Sequence, residues 1–240
     1  MSKIKWDATG ERFYEPGVKN GVLYPRTLTG SDVTELNGGY ATGVAWNGLT
    51  AVTESPSGAE KTALYADDIK YLNLVSNEEF GCSIEAYTYP KEFYVCDGTA
   101  AIYTSGNSPV DTGVRLGQQS RKEFGFCYTT TVGNDVDGTD KGYKLHLVYG
   151  CLASPSEKGY STINDSPEAI TFSWEVSTTP ITVENFKPVA CITIDSTTAD
   201  ETKLNNLKDI LYGKDAGSGT EATDPRLPLP AEVISMFTAA

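Results

Sequence analysis

The sequence predicts a mostly β chain: an antiparallel β-sandwich or barrel with one flanking α-helix. Three observations carry this. Several segments alternate apolar and polar residues at period two, as half-buried strands do. Clusters of Gly, Asp, Asn and Ser separate them. One stretch alone repeats its apolar residues convincingly at helical spacing.

Taken in chain order, Tyr40 to Val52 reads as a strand rich in glycine and small residues, and Cys82 to Thr88 as another. Tyr89 to Asp97 reads as a short helix, with Pro90 favouring a first turn and Gly98 ending it. Phe124, Phe126 and Tyr128 line one side of a third strand. Leu145, Leu147 and Tyr149 line a fourth. Between these two lies GNDVDGTDKG, whose Asp135, Asp137 and Asp140 have the hard oxygens of a calcium loop. Gly138 comes too early for the EF-hand spacing and no closing Glu follows, so a hairpin turn is the better reading. Phe172, Trp174 and Val176 form the dry side of a further strand, with Ser173, Glu175 and Ser177 on the wet side. Ala190, Ile192 and Ile194 alternate with Cys191, Thr193 and Asp195 in the last. The helix follows: Asp195, Ser196 and Thr197 are cap candidates, Leu204, Leu207, Ile210 and Leu211 form the stripe, and Gly213 is the stop.

Three segments lack the apolar content for a core of their own: 1–25, the loop at 54–68, and 214–240. They divide the chain into an N-terminal arm (1–25), a β domain (26–213) and a C-terminal arm (214–240). The last ends in Val233, Ile234, Met236 and Phe237 beyond a Gly/Ser-rich stretch. Such a tip gains little unless it buries against its own domain or a neighbour.

Composition narrows the function. The chain has 240 residues, 32 acids against 19 bases, and a net charge of −13. No basic cluster offers phosphate neutralisation or an anionic-membrane surface. No apolar run is long enough for a membrane helix, and the start lacks a signal-peptide h-region, so a soluble protein made in a cytoplasm is expected. Five scattered cysteines and a single histidine do not make a usual zinc site, so five buried, reduced thiols are expected and neither metal nor cofactor. His146 lies inside a strand without a G-x-S-x-G elbow or another recognisable partner, so a structural role is expected. Asp67/Asp68 and Glu78/Glu79 are adjacent in sequence, and neighbours on a strand face opposite ways, so neither pair flanks one glycosidic bond. No phosphate loop or dinucleotide fingerprint occurs. The chain is expected not to be an enzyme. The abundant aromatics leave a carbohydrate-binding or glycosidase β-sandwich as the alternative, and a secreted adhesin module as a weaker third reading.

Several segments, in order, resemble the major tail protein (tail tube protein) of long-tailed noncontractile bacteriophages of Gram-positive hosts. They are KWDATGERFYEPGVKNGVLYP, YATGVAWNGLTAVTESPSGAEKTALYADDIKYLNL, EEFGCSIEAYTYPKEFYVCDG, GVRLGQQSRKEFGFCYTTTVGND, GTDKGYKLHLVYGCLASPSEKGYSTINDSPEAITFSWEVSTTP and DPRLPLPAEV. The clearest departure is an extra AGSGTEAT before DPRLPLP. The resemblance implies a structural virion protein of the siphovirus tail, with a tail tube β-sandwich and extended terminal arms. Six copies close a ring, and rings stack into a conduit for DNA ejection. Its implied partners are further copies of itself, the tape-measure protein and the tail terminator and initiator proteins. Viral DNA passes without specific binding. Assembly takes place in the host cytoplasm, and the final location is the virion tail. Under this reading the acidic charge lines the lumen and repels DNA, and Glu175, Asp67, Asp68 and Glu85 are assigned to that lining. The 54–68 segment looks like the loop that reaches an adjacent ring, with Trp46, Leu64 and Tyr65 as contacts. Leu227, Leu229, Val233, Ile234 and Phe237 are the contacts expected from the C-terminal arm. Docking of that arm on its own sandwich is the competing reading.

Overall fold

The computed structural model describes residues 3–34, 36–163, 165, 168–217 and 221–238. It is mostly β. In chain order the elements are β1 (Val18–Pro25), β2 (Val44–Trp46), β3 (Leu49–Glu54), β4 (Ser57–Gly58), β5 (Lys61–Ala66), β6 (Ile69–Val75), β7 (Glu78–Glu79) and β8 (Gly81–Ala86). There follow β9 (Ala100–Tyr103), β10 (Asp111–Leu116), β11 (Phe124–Asn134), β12 (Gly138–Ala153), β13 (Phe172–Thr178) and β14 (Cys191–Asp195). Helices α1 (Glu201–Tyr212) and α2 (Pro230–Thr238) end the chain. Among the described residues, no helix is long and apolar enough to cross a membrane.

The main sheet is antiparallel, in the order β2-β1-β11-β12-β13-β8-β3, with β14 also on β12. Only Asn47 and Gly48 separate β2 at one end of this order from β3 at the other. The chain therefore ties the two edges together, and β3 lies against β1. Gly21 of β1 marks the seam: a Cβ there would come within 2.4 Å of Leu49 Cδ1.

Strand β12 forks. Lys144–Val148 pairs with β14, whereas Cys151–Ala153 pairs with β13. Gly150 sits between at φ 59°, and a Cβ there would come within 2.2 Å of the Thr179 carbonyl oxygen. Only glycine combines that left-handed backbone with so close an approach.

Two cores result. The inner one lies inside the curled sheet and gathers Leu23, Trp46, Ile84, Phe93, Phe124, Phe126, Tyr128, Val148 and Trp174. The outer one covers the opposite face of β1, β11, β12 and β14 with α1 and the C-terminal segment: Tyr24, Cys127, Leu145, Leu147, Tyr149, Ile194, Leu204, Leu207, Leu211, Leu227 and Val233. Strand β11 is thus buried on both sides, with Phe126 inward and Cys127 outward.

Most predicted elements are present. The 133–142 segment is a hairpin turn: Asn134 pairs with Gly138, which takes φ 60° and closes a three-residue loop. The Asp135 carboxylate there accepts backbone N–H bonds from Gly10 at 3.0 Å and Arg12 at 3.4 Å, holding the N-terminal segment. Tyr89–Asp97 holds a 3-10 turn at Lys91–Val95, with Gly98 following at φ 72°. Helix α1 is capped by Asp200, whose carboxylate accepts from the Lys203 N–H, and not by Asp195, Ser196 or Thr197. Those three lie in the turn after β14, where Asp195 caps Thr197 instead.

Four expectations are corrected. Two helices flank the sheet, not one. Residues 18–25, assigned to the N-terminal arm, are β1, with Leu23 and Tyr24 fully buried. The C-terminal segment assigned as an extended arm (214–240) is docked over its described residues 221–238: Leu227 and Val233 are buried and Leu229 and Phe237 pack partly buried on the outer core. Backbone bonds from Arg226 N–H to the Ile210 carbonyl and from Gly43 N–H to the Pro225 carbonyl hold the segment down. The 54–68 segment is the outgoing strand of a paired ribbon rather than a loop.

Candidate functional site

Two exposed features stand out on this scaffold: an acidic sheet face and a projecting ribbon.

Register builds the face. Glu175 opposes Ser83 and Ser173 opposes Glu85 across β13 and β8, while Ala51 opposes Glu85 and Thr53 opposes Ser83 across β3 and β8. Directly opposed residues share a face. Alternate residues turn inward, where Cys82, Ile84, Ala86, Trp174 and Val176 join the inner core. What remains outside is Ala51, Thr53, Ser83, Glu85, Ser173, Glu175 and Ser177. These three strands contain no lysine or arginine. The face is therefore small, polar and negative, with no cation of its own to neutralise it.

The tertiary structure places Glu175 and Glu85, both assigned to the lumen lining, on one sheet face. It separates Asp67 and Asp68, which form the turn at the ribbon's tip with φ 51° and 62°. Two consecutive left-handed residues are what a two-residue hairpin turn of the favoured twist requires, and Asp tolerates them. At the rise of a strand the tip lies about 40 Å along the ribbon from Glu54. These two carboxylates, assigned with Glu175 and Glu85 to a lumen lining, stand at the ribbon tip, apart from the face that holds the other two.

The ribbon continues the β3–β8 pair outward through β4–β7 and then β5–β6. Leu64 and Tyr65 lie on it as exposed side chains, Tyr65 at 71%. Sequence reasoning missed the returning strand. Every position of β6 is exposed, including Ile69, Tyr71, Leu72, Leu74 and Val75. Leu64 pairs with Leu72 and Thr62 with Leu74 on one face; Ala63 with Asn73 and Lys61 with Val75 occupy the other, which Tyr71 shares. Both faces thus carry apolar groups to solvent. The alternation in IKYLNLV was available as a signal; the Asp-Asp turn before it lacks the glycine that ordinarily announces a hairpin.

Trp46 is corrected from a contact residue to a core residue. It is 2% exposed, its indole N–H donates to the Thr88 carbonyl at 3.0 Å, and its ring packs edge-on against Phe126 and Trp174. Closure of the sheet at Asn47–Gly48 turns it inward. Of the C-terminal contacts, Leu227 and Val233 are buried in the chain's own outer core, and Leu229, Ile234 and Phe237 are half-buried. The Tyr149 hydroxyl donates to the Pro228 carbonyl at 2.9 Å, and Arg226 makes a bidentate pair with Glu232. Intramolecular docking is the reading these contacts favour.

A second exposed hairpin, β9–β10, carries Ile102, Tyr103, Val114 and Leu116, with Val110 just before β10. A groove of about 440 Å³ separates it from Val44, Tyr94 and Val95 of the body. A larger cavity of about 560 Å³ lies at the seam, lined by Lys19, Asn20, Ala45, Asn47, Leu49 and Tyr212 among others.

His146 is buried, stacked on Tyr128 with ring centroids 4.5 Å apart, and bonded to Thr130 Oγ1 through Nε2 at 3.0 Å. Burial holds its pKa below the ordinary 6.5, against the pull of Glu54 and Glu15. The thiols lie beside strands or within them, and burial pushes Cys82, Cys96, Cys127 and Cys191 up to about 12. At neutral pH such groups stay protonated and slow to react. Among the described residues, no group of three or more His, Cys, Asp or Glu side chains is arranged to hold a metal ion.

Compared with known proteins, the sequence matches no family model and no curated protein.

Proposed function

We propose that this chain is a self-assembling, channel-forming structural subunit, the tail tube protein of a long-tailed bacteriophage. The observation that carries the reading is the ribbon. A two-stranded hairpin is marginal in water at best. One that presents Leu64, Tyr65, Ile69, Tyr71, Leu72, Leu74 and Val75 to solvent gains stability only when another surface covers it. Exposed apolar surface on a projecting ribbon is suited to contact between copies in successive rings.

The acidic face supports the same reading. A wall lined by Glu85 and Glu175, with no lysine or arginine on its strands, repels a polyanion and keeps DNA from adhering during passage. The docked C-terminal segment leaves the ribbon, the N-terminal segment and the β9–β10 hairpin as the surfaces available for contacts between subunits.

Electron microscopy of the purified protein across a concentration series, with light scattering on the same samples, tests the proposal. Hollow rings or tubes are the expected result. Monomers throughout, including after addition of a tail-initiator complex, would overturn it.

A further inference from the structure

The ribbon's usefulness depends on where it points, and its root is held in an unusual way. Beyond Glu54 the β3–β8 ladder narrows to one backbone bond, from the Ser55 N–H to the Gly81 carbonyl at 2.7 Å, before β4–β7 resumes the pairing past Pro56. From there outward the two-stranded ribbon has no further sheet neighbours to set its angle. Side chains at its root add to that restraint.

Glu54 is the last residue of β3 and stands opposite Cys82, whose side chain is buried in the inner core. Its own side chain therefore turns into the mouth of the curled sheet. There its carboxylate accepts from the Tyr128 hydroxyl of β11 at 2.6 Å and lies 3.3 Å from His146 Nδ1 of β12. The ring of His146 is fixed in turn by Thr130 on one nitrogen, by Thr193 of β14 at 3.3 Å on the other, and by the stack on Tyr128. The Glu54 carboxylate has only lone pairs to offer, so the Tyr128 hydroxyl is its donor. The other strand of the ribbon has its own tie: the Thr178 hydroxyl of β13 donates to the Phe80 carbonyl at 2.5 Å.

We propose that Glu54, Tyr128 and His146 form a clasp that fixes the direction in which the ribbon leaves the sheet. Glu54 acts as a positioning residue, tying the outgoing strand to the opposite wall. Charge-assisted bonds of this kind are short and directional, which suits them to setting an angle. A swing of about 10° at the root moves the tip by about 7 Å over the ribbon's ~40 Å length.

The test uses the isolated full chain, so it does not depend on assembly. Cysteines are introduced at the exposed positions Lys70 on the ribbon and Asn206 on α1, spin-labelled, and their separation is measured by pulsed electron resonance. A second pair, Lys122→Cys with Asn206→Cys, reports on the body alone. The native thiols are buried or half-buried, so labelling is selective. The unmodified clasp is expected to give one narrow ribbon-to-body distance. Glu54→Ala is expected to broaden or shift it by several ångströms while the body pair stays unchanged, and Glu54→Gln, which keeps an acceptor for Tyr128, to restore most of it. Tyr128→Phe removes only the hydroxyl and carries the test if Glu54→Ala does not fold. An unaltered ribbon distance in these variants overturns the proposal, whatever happens to the melting temperature. So does an equal change in the body pair.

Discussion

Replacing Leu227 by alanine tests whether the C-terminal segment belongs to its own domain. Leu227 has no exposed surface, and its Cδ2 lies 2.2 Å from where a Cβ on Gly125 would stand. The side chain fills the space that a glycine in β11 leaves open, under Tyr40. Leu→Ala removes three carbons, worth about 2.4 kcal/mol at ~0.8 kcal/mol per buried carbon. The surrounding sheet is hydrogen-bonded and does not collapse freely, so a cavity contribution brings the total to about 3–4 kcal/mol. For a chain of this length that corresponds to a fall in melting temperature on the order of 10 °C. Urea denaturation followed by circular dichroism, at a concentration where only monomer is present, measures it. Ile234→Ala, at a half-buried position, is the internal comparison, with a loss of about 1 kcal/mol or less. Equal small losses below ~1 kcal/mol at both positions would refute intramolecular docking and return the segment to the role of an arm.

Four further outcomes are expected. Asp97→Ala should destabilise by about 3 kcal/mol in the same assay, because the buried carboxylate pairs with Lys158 and accepts from the Trp174 indole at 3.2 Å. Gly150→Ala should lose more than about 2 kcal/mol, since the new Cβ meets the Thr179 carbonyl in a left-handed backbone; a neutral result would deny the fork in β12. The depressed pKa of His146 has a definite sign: the unfolded chain takes up the proton near pH 6.5 and the folded chain only at lower pH. Stability is therefore full above 6.5 and declines as pH falls toward the folded value, and His146→Gln should flatten that part of a stability-against-pH curve. Glu175→Lys should leave tubes intact and slow DNA ejection from reconstituted particles, because it places a cation on a face otherwise built of Ser, Thr, Ala and Glu. Unchanged ejection kinetics would remove Glu175 from the lumen assignment.

The outcome for each segment follows from how far its partners lie along the chain. The β13 alternation, the α1 stripe ending at Gly213 and the Asn134–Gly138 turn are local patterns, legible because period and turn chemistry are written in adjacent residues. Burial of Trp46 was not legible, because it depends on β2 and β3 closing opposite edges of one sheet. The ribbon is half legible: 54–68 reads as a projecting loop by resemblance, but the pairing of Lys61–Ala66 with Ile69–Val75 turns on two left-handed aspartates that propensity does not announce. The grouping of Glu85 with Glu175 needs the register of two strands that set residues ninety positions apart on one face. The sequence by itself determined the mostly β class, the strands whose alternation is local, helix α1, and the acidic charge. Tertiary structure alone decided which carboxylates share a face, which aromatics are core, and that the C-terminal residues fold back, because these are properties of long-range pairing and of surface buried only once the sheet has closed.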